Sequence, residues 1–422
     1  MRMEYGIRKW IILVILCLGF IFGGCGKKQE EVVEITMIHG WGSTRADHVA
    51  MRQIYDDFKK EHPEIHVNLI SMPSSADVVD KVGDLLTVGE IPDIIFTGGE
   101  GRESIYSFMV QKGYAVDIMP YIKEDEEFAD NVSPFILQSW MTESKELYTV
   151  SDVLLMGGYW YNQQIFLEAG VEKVPATWEE WIAMCEKIQV FYTQSNDDIV
   201  PMVLDTDHIS YLTAALLVDE GAEETEHIGN DRINVNTVAF KNTLEKLEEM
   251  SVSVSLKEEY NYLDTLSCFN KGESAVYING VWANTMIDKD LPVAYAAFPS
   301  KEGKGIATRS ACVGYILGNT GDEKRIAASV EFLKYMLSDA VAERILVSTG
   351  QIPSNPNIDI TYEKSGARMK QAVDCVEKAG VIMETPENLW NLCSKEEYEK
   401  NVILYLKGDI SEDEFWEKMS KM

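Results

Sequence analysis

Apolar and polar positions along this chain switch period repeatedly, and the switches mark an alternation of strands and helices. Val32 to Ile38 reads as a first strand. Ser43 or Thr44 can cap a helix running to about Lys60, with Val49, Ile54, Tyr55 and Phe58 on one face. His62-Pro63 stops it, because a residue before proline avoids the helical region. Ile65 to Ile70 is a second strand. Ser74 or Ser75 caps a second helix carrying Val78, Val79, Val82, Leu85 and Leu86, and Gly89 ends it. Pro92 to Phe96 is a third strand, almost wholly apolar, as a strand covered on both faces of a parallel sheet must be. This βαβαβ rhythm predicts an α/β domain with right-handed crossovers.

Residues 146–162 read as extended chain entering a second domain. Asn162 starts a helix to Gly170, and Thr177 with Glu180 forms a capping box for a helix to about Phe191. Val200 to Leu204 is a strand ending at Asp205, followed by an apolar helix from Tyr211 to Val218. Amphipathic helices follow over 236–250 and 258–270. Phe269 to Gly272 is a turn, Ala275 to Ile278 a short apolar strand, and Asn279-Gly280 ends it. Trp282 comes immediately after, a large aromatic at a strand end, where sheets open into clefts. Val293 to Phe298 is a strand, Lys301 to Gly305 a turn, Arg309 to Tyr315 an extended run and Glu323 to Met336 a helix. The tail is helical, with Trp390 in the turn before the penultimate helix.

Five stretches carry a family resemblance. Phe58, Pro63, Ile65 and Val67 are spaced as in the motif F-x-x-x-x-P-x-I-x-V, and Gly89, Pro92, Asp93 and Ile94 follow as G-x-x-P-D-I. Tyr161-Asn162, Phe166, Ala169-Gly170-Val171, Pro175 and Thr177-Trp178 match Y-N-x-x-x-F-x-x-A-G-V with its downstream P-x-T-W, the most specific of the matches. Phe269 to Trp282 resembles F-x-x-G-x-x-A-M-x-I-x-G-x-W, with Val276 at the Met position, and Gly350 to Pro353 matches G-x-x-P. The chain thus resembles the family 1 extracellular solute-binding proteins, the maltose-binding-protein-like receptors of ABC importers, over nearly all of its length beyond the leader. The resemblance implies a two-lobed periplasmic-binding-protein-like α/β fold of type II, each lobe a mainly parallel sheet flanked by helices, with a hinge of crossing strands. The N-terminal lobe would combine 32–150 with 311–350, and the C-terminal lobe 153–305 with 355–422.

The first residues belong to neither lobe. Arg2, Arg8 and Lys9 precede an apolar run from Ile11 to Phe22, too short for a span of about 20 residues. Gly23-Gly24 and Cys25 follow. Residues 1–24 resemble a bacterial lipoprotein signal, although Phe22 stands where the pattern usually has Leu. A lipid on Cys25 would hold the protein on the outer face of the cell membrane, with 25–31 as a polar tether. Setting Cys17 and Cys25 aside leaves Cys185, Cys268, Cys312, Cys375 and Cys393, an odd number without a C-x-x-C pair, so neither a zinc site nor a dense disulfide framework is expected. Which of them pair is not legible. The formal net charge of −31 argues against nucleic acid as a partner.

Catalytic and metal patterns are missing from the sequence. There is no G-x-S-x-G, P-loop or H-E-x-x-H motif, and Pro63 breaks the helix that a metal pair His62 and His66 would need. No cofactor is expected, and the chain reads as a binding protein and not an enzyme. Sugars offer C–H faces to aromatic rings and hydroxyl edges to carboxylates, amides and guanidinium groups. Trp41, Trp160, Trp282 and Trp390 each could line a cleft or belong to the core, and Trp178 and Trp181 are helix residues. The resemblance places aromatics that stack on sugar at Trp282 and Trp390, and another in the segment of Tyr211. It also places an acid–Arg pair at Glu100 and Arg102 and a crossover past the cleft at Ser310, while Asp152 before the crossover strand and Asp205 at a strand end are candidates by position. The expected ligand is a carbohydrate, an oligosaccharide in particular, and the expected partners are ABC permease subunits and, through the anchor, the membrane. A monomer is expected. A sensor presenting its ligand to a membrane kinase or chemoreceptor, a polyamine receptor and a secreted carbohydrate-active enzyme are the alternatives.

Overall fold

A computed structural model describes residues 32–98, 105–195, 197–206, 208–221, 237–260, 262–390 and 392–421. The leader, the tether with Cys25, and the Glu100–Arg102 pair lie outside the described residues, as does the side chain of Cys393.

The first sheet holds β1 (Val33–His39), β2 (Ile65–Ser71), β3 (Ile94–Phe96) and β10 (Tyr315–Leu317) in the order β10-β3-β1-β2. Its three N-terminal strands are parallel, and β10 returns antiparallel against β3. All three residues of β3 are buried, as a central strand requires. Helix Ala46–Glu61 turns Met51, Ile54, Tyr55 and Phe58 inward, and Val49 stays outside. Its first turn departs from expectation: the helix begins after Arg45, with no side chain capping it. The Ser43 hydroxyl is instead 2.9 Å from His48 Nδ1. At helix Ser75–Thr87 the expected cap is made, Ser74 Oγ accepting from the Asp77 amide. The hydrophobic core of this lobe draws on residues from Ile35 to Val153 and again from Ala311 to Ile345. Helices Glu323–Leu337 and Asp339–Thr349 pack into it from the second passage of the chain, the latter beyond the span expected to be helical.

The second sheet is mixed. Its order is β12-β9-β4-β7-β5-β6, from Val381–Met383, Ile306–Ser310, Val153–Asn162, Ser274–Gly280, Val200–Asp205 and Ser255–Lys257. The long strand β4 is antiparallel to every neighbour, including β8 (Val293–Ala296) and β11 (Ile352–Pro353). It carries the chain across from the first lobe, so the strands built afterwards meet it head-on. Parallel pairs form only farther out, at β12/β9, β7/β5 and β5/β6. β12 interrupts a tail expected to be wholly helical. Its exposed Val381 and Ile382 pair with Ile306 and Ala307. Caps seat the helices on this sheet. Asn162 accepts from the Gln164 and Ile165 amides. Thr177 Oγ1 accepts from the Glu180 amide, and Glu180 reaches one residue farther back than a capping box would, to the Ala176 amide at 2.8 Å.

Three segments cross between the lobes side by side. Val150 bridges to Tyr315, Leu155 pairs with Ser310, and Leu154 pairs with Ile352. Ser354 donates its amide to Asp152 O at 2.8 Å and its hydroxyl to Ser151 O at 2.6 Å. Gly350 sits at φ +67° where helix Asp339–Thr349 gives way to β11, a conformation that glycine adopts freely.

Candidate functional site

The strand ends of the two sheets face each other, and among the described residues Arg45 and Tyr262 make a direct contact across the gap. The loop after β1 carries Trp41 and Arg45. Arg52 ties this loop to its helix by donating to Trp41 O and, at 2.9 Å, to Ser43 O. Trp41 stacks on Phe96 with ring centroids 5.4 Å apart and meets His48 edge-on at 4.9 Å. It is nearly buried, so it can offer a ligand only the margin of its ring. Arg45 forms a two-pronged pair with Asp47, at 3.1 and 2.6 Å, and its guanidinium reaches 5.5 Å from the centroid of Tyr262 in the other lobe. Burial pushes His48 down to about 4, and Arg45 adds to the effect. Its ring is therefore neutral near neutral pH.

On the opposite side, Trp282 occupies a 3-10 turn, Val281–Thr285, directly after β7. Its ring folds back over Gly280. A Cβ on that glycine would lie 1.9 Å from the ring, so the absence of a side chain there lets the ring lie flat on the strand end. Trp282 is half-buried and borders the hydroxyl of Tyr262, which burial pushes up to about 12. Beneath Tyr262 lies a buried polar chain. Asp205 accepts from His208 Nδ1 at 2.6 Å, from the His208 amide at 3.0 Å and from the Thr265 hydroxyl. Asn279 donates to His208 Nε2 at 3.0 Å and to Tyr277 OH at 2.5 Å. Burial works against the charge on Asp205, but the His208 pairing outweighs it and holds the carboxyl below the usual range. Asp205 is fully buried with both oxygens engaged, so it positions His208 and does not itself face the gap.

Other candidates fall in three places. Asp152 is in the hinge: it is 2% exposed, accepts from Tyr315 OH at 2.8 Å, and is pushed up to about 6 by burial. Tyr315 OH is in turn 3.1 Å from Tyr55 OH. Ser310, at the end of the internal strand β9, and Tyr211, on helix Ile209–Asp219, are both buried. The Ser310 hydroxyl donates to Glu384 Oε2 at 2.5 Å, and Tyr211 OH donates to Glu387 Oε2 at 3.0 Å. Trp390, expected on a cleft wall, is packed in the core of the C-terminal lobe at 4% exposure, edge-on to Tyr398 at 5.9 Å. Trp160 is wholly buried and donates to Gly280 O at 3.0 Å.

Sequence reasoning passed over Arg45, Tyr262, His208, Glu384, Glu387 and Asn388. Glu384 had the same signal that drew attention to Asp205, an acid at the end of a short β-branched run. His62 and His66 end on separate elements, a helix terminus and β2. Among the described residues no group of three or more His, Cys, Asp or Glu is arranged to hold a metal ion, and Cys185, Cys268, Cys312 and Cys375 are free thiols.

The profile of a family described as bacterial extracellular solute-binding protein matches residues 42–343. A multiple sugar-binding protein of Streptococcus mutans is 22% identical over 299 residues, 68% of this chain and 67% of that protein. Two solved structures share the fold. One is a Streptococcus pneumoniae solute-binding protein in complex with the blood group A-trisaccharide, at 23% identity and TM-score 0.75, covering 92% of this chain and 98% of that one. The other is a chitin oligosaccharide binding protein, at 18% identity and TM-score 0.78, covering 93% and 98%.

Proposed function

The chain belongs to the bacterial extracellular solute-binding proteins, with their two-lobed α/β fold, and on that premise we propose that it captures an oligosaccharide between its lobes and hands it to an ABC importer. The observation that carries this reading is the pairing of half-buried aromatic faces with polar edges across the gap. The half-buried Trp282 and Tyr262 stand on one side, and Arg45, with the margin of the nearly buried Trp41, on the other. Rings of this kind cover the C–H face of a sugar, while Arg45, Tyr211 and Glu384, the last held by Ser310, bond its hydroxyls. Glu100 and Arg102 would add a polar pair from the loop after β3.

Binding needs no covalent step. A ligand that touches both lobes favours the closed arrangement by the contacts it makes only there, and the three-segment hinge lets the lobes move as bodies. An importer can then read the closed shape. Lipid on Cys25 would keep the receptor at the outer face of the membrane as a monomer, within reach of its permeases.

The test is a thermal-shift screen of the purified protein against mono- and oligosaccharides, with polyamines as the contrasting class. A ligand bound only by the folded state raises the apparent melting temperature. A shift with oligosaccharides is the expected result. A shift with polyamines alone would overturn the ligand class.

A further inference from the structure

Asp152 is enclosed by all three segments that cross between the lobes. It opens the first of them, one residue before β4. From the second, Tyr315 OH donates to its Oδ2 at 2.8 Å, and Cys312 Sγ lies 3.3 Å from the hydroxyl of the adjacent Ser151. From the third, Ser354 donates its amide to Asp152 O at 2.8 Å. Asp152 Oδ1 is buried and has no partner.

The titratable groups facing this carboxyl come from three elements: Tyr315 on β10, Tyr55 on helix Ala46–Glu61, and Cys312 on the chain between β9 and β10. None of the three is a cation. An ionised Asp152 would hold its charge on one hydrogen bond, sealed from water, so burial favours the neutral acid and raises the carboxyl to about 6. Water could reach Oδ1 by two routes. Unfolding the N-terminal lobe would sacrifice a whole core. Rotating the lobes only respaces the three crossing segments that form the enclosure, and leaves each core packed. The second route is the cheaper one.

We propose that Asp152 is a proton switch in the hinge: neutral, it fits the arrangement in which Arg45 meets Tyr262, and ionised, it draws water between the crossing segments and turns the lobes apart. The sign follows from the raised carboxyl. Closure binds the proton more tightly than an open, hydrated hinge does, so the bias towards closure is fully present below about 4 and is lost as pH rises through about 6. Full hydration of the carboxyl in the open state would make this bias about a hundredfold in the ratio of closed to open protein. The hydroxyl of Tyr55 is 3.1 Å from that of Tyr315, and Arg52, on the same helix as Tyr55, holds the Trp41 loop. The switch therefore bears directly on a cleft wall. It goes beyond the carbohydrate reading and does not depend on which solute the cleft takes.

Small-angle scattering of the unliganded protein at a series of pH values from 4.5 to 7.5 tests it, with circular dichroism confirming that each variant is folded. The wild type is expected to be compact at pH 4.5 and to expand with a midpoint near 6. Asp152→Asn stays compact throughout. Tyr315→Phe removes the hydrogen bond that favours the ionised carboxyl, so its midpoint moves upward. Glu399, also raised by burial, to about 7, pairs with Lys395 inside the C-terminal lobe, so Glu399→Gln keeps the wild-type profile. A wild-type radius of gyration independent of pH overturns the switch. So does a pH dependence that survives in Asp152→Asn, disappears in Glu399→Gln or keeps its midpoint in Tyr315→Phe. None of these results touches the carbohydrate reading, which the thermal-shift screen decides.

Discussion

The guanidinium of Arg45 lies 5.5 Å from the ring centroid of Tyr262 and joins the loop after β1 to helix Tyr262–Asn270 of the other lobe. Asp47 holds the cation by both oxygens, and His208 lies against the ring at 5.7 Å. Each partner is therefore fixed by its own lobe before the two meet, which is what a latch between rigid bodies requires.

Removing the cation is expected to loosen closure. A cation–π contact of this kind contributes about 0.5–2 kcal/mol. Arg45→Ala should raise the radius of gyration of the unliganded protein in small-angle scattering and weaken sugar binding by roughly threefold to thirtyfold. An unchanged scattering curve and unchanged affinity would show that the contact does not bias the lobes.

Trp282 can be tested from two directions. Trp282→Ala removes the ring, and the expected loss of affinity is about 1–3 kcal/mol by titration, the range of a buried aromatic face. Gly280→Ala leaves the ring in place chemically but puts a methyl group where it lies. The ring must swing away, so this variant should lose sugar affinity comparably while retaining its circular dichroism spectrum. If Gly280→Ala binds as the wild type does, the orientation of the ring is not what the ligand uses.

Asp152 gives a pH dependence with a defined sign. Its carboxyl is raised to about 6 in the folded protein, against 3.8 for the ordinary group. A raised pKa means that the folded state binds the proton more tightly than the unfolded state. The stability this residue confers is thus fully present below about 4 and is lost as pH rises towards 6. Asp152→Asn removes the titration and keeps a hydrogen-bond acceptor for Tyr315. The difference in denaturant midpoint between variant and wild type should therefore be larger in the variant's favour at pH 7.5 than at pH 4.5. A difference independent of pH would show that Asp152 is not the titrating group.

Asn162 lies within the most specific family match, yet it is buried and its side chain caps helix Gln163–Glu168. Asn162→Ala should cost about 1 kcal/mol in unfolding free energy, with sugar affinity unchanged. A selective loss of affinity at full stability would move Asn162 into the site.

These side chains also show where sequence reading succeeds. Ser74, Thr177 and Asn162 act on amides two or three residues away, so local order is enough to place them. Helix faces and buried strands follow from periods of 3.6 and 2, which are properties of a short segment. Trp282 was marked by its position just past a strand, again a local relationship.

What the sequence by itself determined, then, is the succession of strands, helices and caps, together with the motifs that name the family. Only the tertiary structure decided which of those residues face the gap. Trp390 and Trp282 are the same kind of residue in similar settings, but Tyr398 and the surrounding core enclose one, while Gly280 leaves the other lying over a strand end. Glu384 becomes part of a polar corner because β12 pairs with β9 and brings it to Ser310. Arg45 meets Tyr262 only because the chain crosses between lobes three times. The exposure of a side chain and its partners are set by neighbours far away in the chain, and those neighbours exist only once the sheets have formed.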